Sequence, residues 1–76
     1  MVLEDRIEVN PEIMLGKPVI CGTRIPVYVI LNLLGEGISF EQVISDYPDL
    51  SKEDILAALR FAARFTKFEE VGVLVK

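Results

Sequence analysis

The 76-residue sequence contains no histidine and a single cysteine, Cys21. Without histidine the chain lacks the commonest general base and metal-binding side chain. With one cysteine it cannot assemble a zinc finger, and it cannot close an internal disulfide, which fits a protein of the reducing cytoplasm. Cys21 would need an activating base to act as a nucleophile, so we interpret it as a small turn or buried residue. We therefore expect no metal, no cofactor and no enzymatic activity.

Long apolar runs are also absent, since none approaches the roughly 20 residues that a membrane-spanning helix needs. The start, MVLEDRIEVN, does not combine a basic region with an apolar stretch, so no secretion signal is predicted. These absences predict a cytoplasmic protein without membrane contact. The net charge of −4 disfavours non-specific nucleic-acid binding, although it leaves room for a local basic face.

The composition is unusually apolar for so short a chain. Residues 1–76 form one small domain, and a chain of this length buries only about 60% of its unfolded surface. Yet 51% of the residues are hydrophobic and the mean hydropathy is +0.42. This is more apolar surface than a small domain easily hides, which favours an oligomer or a tight partner.

Two segments have the pattern of β-strands. Residues 7–9 alternate apolar and polar side chains, as in a half-buried strand. Residues 19–20 and 24–25 flank a turn in which Gly22 can adopt a positive φ, and we predict an N-terminal β-hairpin there. The tail, residues 70–76, also alternates, and it is interpreted as an edge strand, as a wing or as a strand that pairs with another chain.

Three helices are predicted after the hairpin. Pro26 suits the first turn of a helix that ends at Gly35 or Gly37. Ser39 and Gln42 form a capping box for the second helix, which ends before Pro48. The apolar faces of these two helices are predicted at Val27, Ile30, Leu31, Leu34 and Ile38, and at Phe40, Val43, Ile44 and Tyr47.

The third helix repeats the same start signal. Ser51 caps it, Asp54 occupies the capping-box position, and the helix runs to about Phe65. Its inner face is predicted at Ile55, Leu56, Leu59, Ala62 and Phe65. The second and third helices, joined through Pro48-Asp49-Leu50, are compatible with a helix-turn-helix unit. The fold prediction is a mainly α, three-helix helix-turn-helix domain with an N-terminal β-hairpin.

The candidate DNA contacts lie on the third helix. Arg60, Arg64 and Lys67 are spaced i, i+4 and i+7, and Lys52 is near the helix start, so they form a stripe that could contact phosphates. The alternative is a solvated helix face. Ser51 and Lys52 would lie where a recognition helix enters the major groove, but capping alone explains Ser51. The neighbouring carboxylates of Asp49, Glu53 and Asp54 would repel phosphates.

The hairpin and the loop before it carry three further polar residues, Lys17, Thr23 and Arg24. Arg24 has three alternative partners, which are a phosphate, a carboxylate of another protein, or an internal acid such as Glu12. The same kinds of partner are open for Lys17. We predict that these residues serve either a partner or the fold itself.

The sequence resembles the family called domain of unknown function 433. The resemblance covers roughly residues 7–65 and is carried by a GTRIP-type element followed by a DYPDLS-type turn. The matching segments are PEI at 11–13, GKPVI at 16–20, GTRIPV at 22–27, DYPDL at 46–50 and EDI at 53–55.

This resemblance implies a small helix-turn-helix or winged-helix-like domain in prokaryotes. It also implies a VapB-type antitoxin that acts beside a PIN-like ribonuclease toxin. Such antitoxins bind the toxin and repress their own operon, commonly as homodimers on double-stranded operator DNA. The alternative function is an interaction module that does not bind DNA and masks a partner enzyme with its acidic surface.

Overall fold

The computed structural model describes residues 1–67, in which a small antiparallel sheet is followed by three helices. The strand order is β1-β2-β3. The predicted mainly helical, three-helix domain is confirmed at this level, whereas the strand predicted at residues 70–76 lies outside the described residues. The elements are β1 (Val2–Glu4), β2 (Ile7–Glu8), β3 (Val19–Ile20), α1 (Val27–Gly35), α2 (Phe40–Asp46) and α3 (Lys52–Arg64).

The central strand of the sheet is β2, which confirms the strand predicted near Ile7. It pairs with β3 in a register that places Ile7 opposite Ile20. The predicted hairpin is confirmed as a short one in a register shifted by one residue, because β3 pairs with β2 and also with residues 25–27, which turn back on it. This pairing consists of an isolated antiparallel bridge between Val19 and Pro26 and of hydrogen bonds from Ile20 N to Ile25 O, at 3.1 Å, and from Val27 N to Pro18 O, at 2.9 Å. Helix α1 begins directly after Pro26, so the returning segment is too short to form a strand of its own.

The turn at Gly22 has the predicted conformation, with a φ of 80°. The loop before β3 was not predicted. It contains a short 3-10 turn, Met14–Gly16, in which Met14 and Leu15 have φ values of 51° and 58°. Left-handed backbone is uncommon for residues other than glycine. Leu15 is 91% exposed, so no packing within residues 1–67 explains this conformation.

Helix α1 ends in a Schellman motif. The amide of Ile38 donates to Leu33 O at 3.1 Å, and the amide of Gly37 donates to Leu34 O at 3.0 Å. Gly37 has a φ of 88°, a conformation that glycine adopts without a Cβ clash. Of the two predicted stops, Gly37 is therefore the correct one, and Gly35 is the last helical residue.

Helix α2 begins at the predicted cap but lacks the reciprocal half of the capping box. Ser39 Oγ accepts a hydrogen bond from the amide of Gln42 at 3.1 Å. The side chain of Gln42 does not return to Ser39, because its Nε2 donates to Asp46 Oδ1 at 2.9 Å. The predicted cap by Ser39 is confirmed, whereas the second bond of the predicted capping box, from the Gln42 side chain to Ser39, does not form.

One apolar core joins the sheet to all three helices. Helix α3 packs on α1, on α2 and on β2. The buried hydrophobic residues of the described chain are Ile7, Val19, Ile20, Val27, Ile30, Val43, Leu50, Ile55, Ala57, Ala58 and Phe61. The predicted α1 face is confirmed, with Val27 and Ile30 buried and Leu31, Leu34 and Ile38 packed against the core.

The predicted inner face of α3 is partly wrong. Ile55 is buried, but Leu59 is 38% exposed and Phe65 is 60% exposed. Ala58 and Phe61 take their places in the core. The buried face is set by the position of β2 and α1 around the helix, and the apolar residues of α3 are spread too widely to reveal that position.

Candidate functional site

The start of α3 carries the predicted capping box in full. Ser51 Oγ accepts from the amide of Asp54 at 3.3 Å, and the amide of Ser51 donates to Asp54 Oδ2 at 2.9 Å. Both residues thereby satisfy backbone groups that a helix end leaves open. The predicted capping role of Ser51 is confirmed, while its contact with DNA stays a prediction.

Asp54 also forms an ion pair that the sequence did not indicate. Arg6 Nη1 donates to Asp54 Oδ1 at 3.0 Å, although the two residues are 48 positions apart. Asp54 is only 7% exposed. The hydrogen bond to Asp54 and the charge of that carboxylate raise the pKa of Arg6 above its ordinary value, so the guanidinium stays charged. The pair fixes the β1–β2 turn to the first turn of α3.

The predicted cations of α3 are exposed, but they do not form one continuous stripe. Lys52 is the first residue of α3, and Arg60 and Arg64 lie in its last two turns. Lys67 lies three residues beyond the helix end, so the predicted helical i+7 position is wrong. Glu53 is exposed seven residues before Arg60 and shares its face of the helix. The basic surface is therefore concentrated at the C-terminal half of α3.

The two distinctive sequence elements meet around one polar groove of about 620 Å³. One wall carries Gly22, Thr23 and Arg24, and the other carries the turn after α2. Three carboxylates approach the same groove. They belong to Glu8, Asp46 and Asp49. The sequence did not predict this meeting, because the two elements are more than 20 positions apart and each is explained locally as a turn.

Within this groove Thr23 and Arg24 have different roles. Thr23 Oγ1 donates to Ile20 O at 2.8 Å and accepts from the amide of Ile25 at 3.0 Å. These bonds hold the turn after β3 and give Thr23 a structural role, while its contact with a partner stays a prediction. Arg24 is exposed and has no ion-pair partner among residues 1–67, which excludes the predicted alternative of Glu12 there.

A second, apolar groove of about 500 Å³ lies between α1 and the C-terminal half of α3. The predicted residue Lys17 lines its edge. The ring of Phe61 meets the ring of Phe65 edge-to-face, with 5.2 Å between the centroids. The other lining residues are Pro18, Val27, Tyr28, Leu31 and Ala62. We name this surface the apolar groove.

Cys21 is exposed beside the polar groove. Desolvation by neighbouring atoms is the main cause that raises the pKa of its thiol, and the negative charge of Glu8 adds to the rise. A thiol of raised pKa is a poor nucleophile at neutral pH, since the thiolate is the reactive form.

The pH dependence of alkylation is expected to show this shift. The midpoint of the iodoacetamide rate profile for Cys21 should be higher in the folded protein than in the chain unfolded by urea. Glu8→Gln removes the nearby charge and should lower the folded midpoint, whereas Glu12→Gln, on the exposed loop, should not. A folded midpoint at or below the unfolded one would contradict the assigned environment.

Residues 1–67 contain neither a metal-binding cluster nor a membrane-spanning helix. No group of three or more histidine, cysteine, aspartate or glutamate residues in this range is placed to hold a metal ion. No helix in the same range is long and apolar enough to cross a bilayer.

Residues 7–62 match the model of a protein family described as Protein of unknown function (DUF433). The matched span begins in β2 and ends near the end of α3, so it includes both walls of the polar groove and most of the exposed cations. It is about three quarters of the chain.

Two proteins are similar to this chain over most of its length. The uncharacterized protein y4eO of Sinorhizobium fredii (strain NBRC 101917 / NGR234) is 38% identical over 53 residues, which are 70% of this chain and 24% of that protein. The chain thus spans about a quarter of that relative. A crystal structure of a DUF433 member protein from Anabaena variabilis ATCC 29413, at 2.00 Å resolution, is 29% identical with a TM-score of 0.75. That match covers 82% of this chain and 61% of the other.

Proposed function

The chain belongs to the DUF433 family, and on that premise we propose that it is the antitoxin of a type II toxin–antitoxin pair. In this proposal it acts in the cytoplasm as a homodimer, binds operator DNA and neutralises a PIN-like ribonuclease toxin. Helices α2 and α3 and the turn between them form the helix-turn-helix unit. A winged-helix arrangement would need residues 70–76, which lie outside the described residues.

The observation that carries the proposal is the division of α3 into two faces. Ile55, Ala58 and Phe61 anchor one face in the core, and the side chains of Arg60 and Arg64 remain exposed on the helix. A helix held in this way is rigid enough to present cations to a phosphate backbone.

The acidic residues decide which part of α3 approaches the DNA. Asp49 and Glu53 lie at its N-terminal end and repel phosphates, whereas Arg60 and Arg64 lie at the opposite end. Phosphate contacts are therefore assigned to Arg60 and Arg64, with Lys67 beyond the helix end. Lys52 is assigned to the edge of the DNA major groove, since it is the first residue of the recognition helix.

Dimerisation and toxin binding compensate for the weak basic face. Two copies double the phosphate contacts and match half-sites about 34 Å apart, one helical turn of DNA. The net charge of −4 complements a basic surface on the toxin and accelerates their encounter.

The second candidate function is a module that binds a partner enzyme and not DNA. The polar groove favours it, because Glu8, Asp46 and Asp49 line the groove together with Arg24, and three carboxylates against one arginine fit a basic segment of another protein. In that case Arg24 and the three carboxylates contact the partner, and α3 serves only as scaffold.

Fluorescence anisotropy at two salt concentrations measures binding of the chain to its own upstream DNA. This measurement distinguishes the DNA-binding antitoxin from the module that binds only a partner enzyme. Arg60→Ala is expected to weaken binding and to reduce the slope of log K against log[salt] by about 1, as expected for one lost phosphate contact. Unrelated DNA serves as competitor. A salt-dependent preference for the upstream DNA supports the regulator.

The matched control is Arg24→Ala, which removes an exposed arginine from the polar groove and should leave DNA binding unchanged. If Arg60→Ala and Arg64→Ala both bind as the wild type does, the assigned DNA face is wrong. Absence of binding to either DNA at low salt overturns DNA binding by the chain alone and favours the second function.

A further inference from the structure

The loop before β3 presents a strained apolar projection. Met14 and Leu15 both have positive φ, and the loop is closed by hydrogen bonds from Gly16 N to Ile13 O, at 3.0 Å, and from Lys17 N to Met14 O, at 3.1 Å. Strained backbone persists only where other interactions determine it, and it is often found at functional positions. These bonds hold Leu15 away from the core, where it is 91% exposed.

The apolar groove is connected to this projection through Lys17. Lys17, two residues after Leu15, lines its edge, and Val27, Leu31 and Phe61 line it further in. Tyr28 and Phe65 border the groove and are both exposed. A projecting leucine is therefore two positions from a residue that lines an open apolar groove, and neither Leu15 nor the groove is covered within residues 1–67.

We propose that this surface is the interface between two copies of the chain, in which Leu15 of each copy occupies the apolar groove of the other. A two-fold interface uses the same patch on both copies, so a projection and a groove that share one loop can each meet the other's counterpart. The proposal rests on the proposed function, where operator binding uses a dimer, and it names the surface that forms that dimer.

Charge complementarity favours a second copy over an unrelated partner. The loop carries Glu12 and Lys17 on either side of Leu15, both exposed and neither in an ion pair within residues 1–67. A two-fold axis beside the loop lets Glu12 of one copy face Lys17 of the other. Opposite charges on one loop thus pair twice in a symmetric dimer.

The area requirement shows which residues must take part. A stable interface buries about 800 Å² on each partner, and the surface of the chain is 5301 Å². About a seventh of the surface must be covered, so Leu15 alone is insufficient. Tyr28 and Phe65 are the large exposed side chains beside the groove, and the interface must cover them too.

Sedimentation equilibrium between 1 and 300 μM tests the proposal with the full chain and without DNA. The wild type is expected to dimerise, and Leu15→Asp and Tyr28→Glu should each weaken dimerisation at least tenfold. Circular dichroism at low concentration should show both variants folded, since both side chains are exposed. The matched control is Leu59→Asp, an exposed leucine that belongs neither to the loop nor to the groove.

A mixture of the Leu15→Asp and Tyr28→Glu variants tests whether Leu15 of one copy occupies the apolar groove of the other. In a heterodimer the intact Leu15 of one variant meets the intact groove of the other, so one of the two contacts is restored. The heterodimer should therefore be several-fold tighter than either variant homodimer. A monomeric wild type at 300 μM, or a dimer that a folded Leu15→Asp variant does not weaken, overturns the interface. Neither result bears on DNA binding by the monomer.

Discussion

Asp54→Ala is expected to lower the free energy of unfolding by about 2 to 3 kcal/mol, the combined effect of a lost helix cap and a lost hydrogen bond to a charged group. Asp54 satisfies the amide of Ser51 and accepts from Arg6 at the same time. For a domain of this size the melting temperature should fall by roughly 10 to 20 °C. Thermal denaturation followed by circular dichroism measures the change.

The matched control for Asp54→Ala is Asp46→Ala. Asp46 is an exposed carboxylate at the end of α2 that accepts from Gln42, and its loss should change stability by no more than about 0.5 kcal/mol. The effects of Arg6→Ala and Asp54→Ala should be non-additive in the double variant, because the two side chains share one interaction. Equal melting of Asp54→Ala and the wild type would refute both the cap and the ion pair.

Ile55→Ala should remove about 3 kcal/mol, since a fully buried isoleucine is replaced by a cavity. A chain of 76 residues has a total stability of about 4 to 11 kcal/mol at ordinary values per residue. This one substitution therefore removes a large share of the stability. Urea denaturation gives the change as a lower midpoint.

Leu59→Ala removes the same number of carbon atoms from the same helix and serves as the control. Because Leu59 is partly exposed, its loss should cost less than about 1 kcal/mol. The pair of variants also tests the orientation of α3, because the sequence pattern placed both residues on the inner face. If the two variants were equally destabilised, the inner face of α3 predicted from the sequence would be the correct one.

The features that the sequence predicted well are those decided by a few neighbouring residues. Ser51 and Asp54 are three positions apart, and their capping box formed as expected. Ser39 and Gly37 likewise act within one helical turn of their own positions. Such signals are reliable because the hydrogen bonds they describe close over short stretches of chain, whatever the rest of the fold does.

The features that it did not predict depend on elements distant in the chain. The orientation of α3 is set by α1 and β2, and the partner of β3 is a strand that a long loop separates from it. Arg6 looks like any exposed turn residue until α3 places Asp54 beside it. The candidate site likewise combines features that neighbouring residues decide with features that depend on distant elements. The exposure of Arg60 was expected, whereas the polar groove was not, because it exists only after two distant turns meet.

The contact between β2 and α3 also has a consequence for protein synthesis. Ile7 is synthesised 45 positions before Lys52, where α3, the helix that packs against the strand of Ile7, begins. At ordinary elongation rates of 5 to 20 residues per second this interval is roughly 2 to 9 s. A two-stranded hairpin is marginally stable at best by itself. The nascent chain therefore keeps an uncovered apolar strand until α3 is made, and the contact between β2 and α3 forms only after this interval.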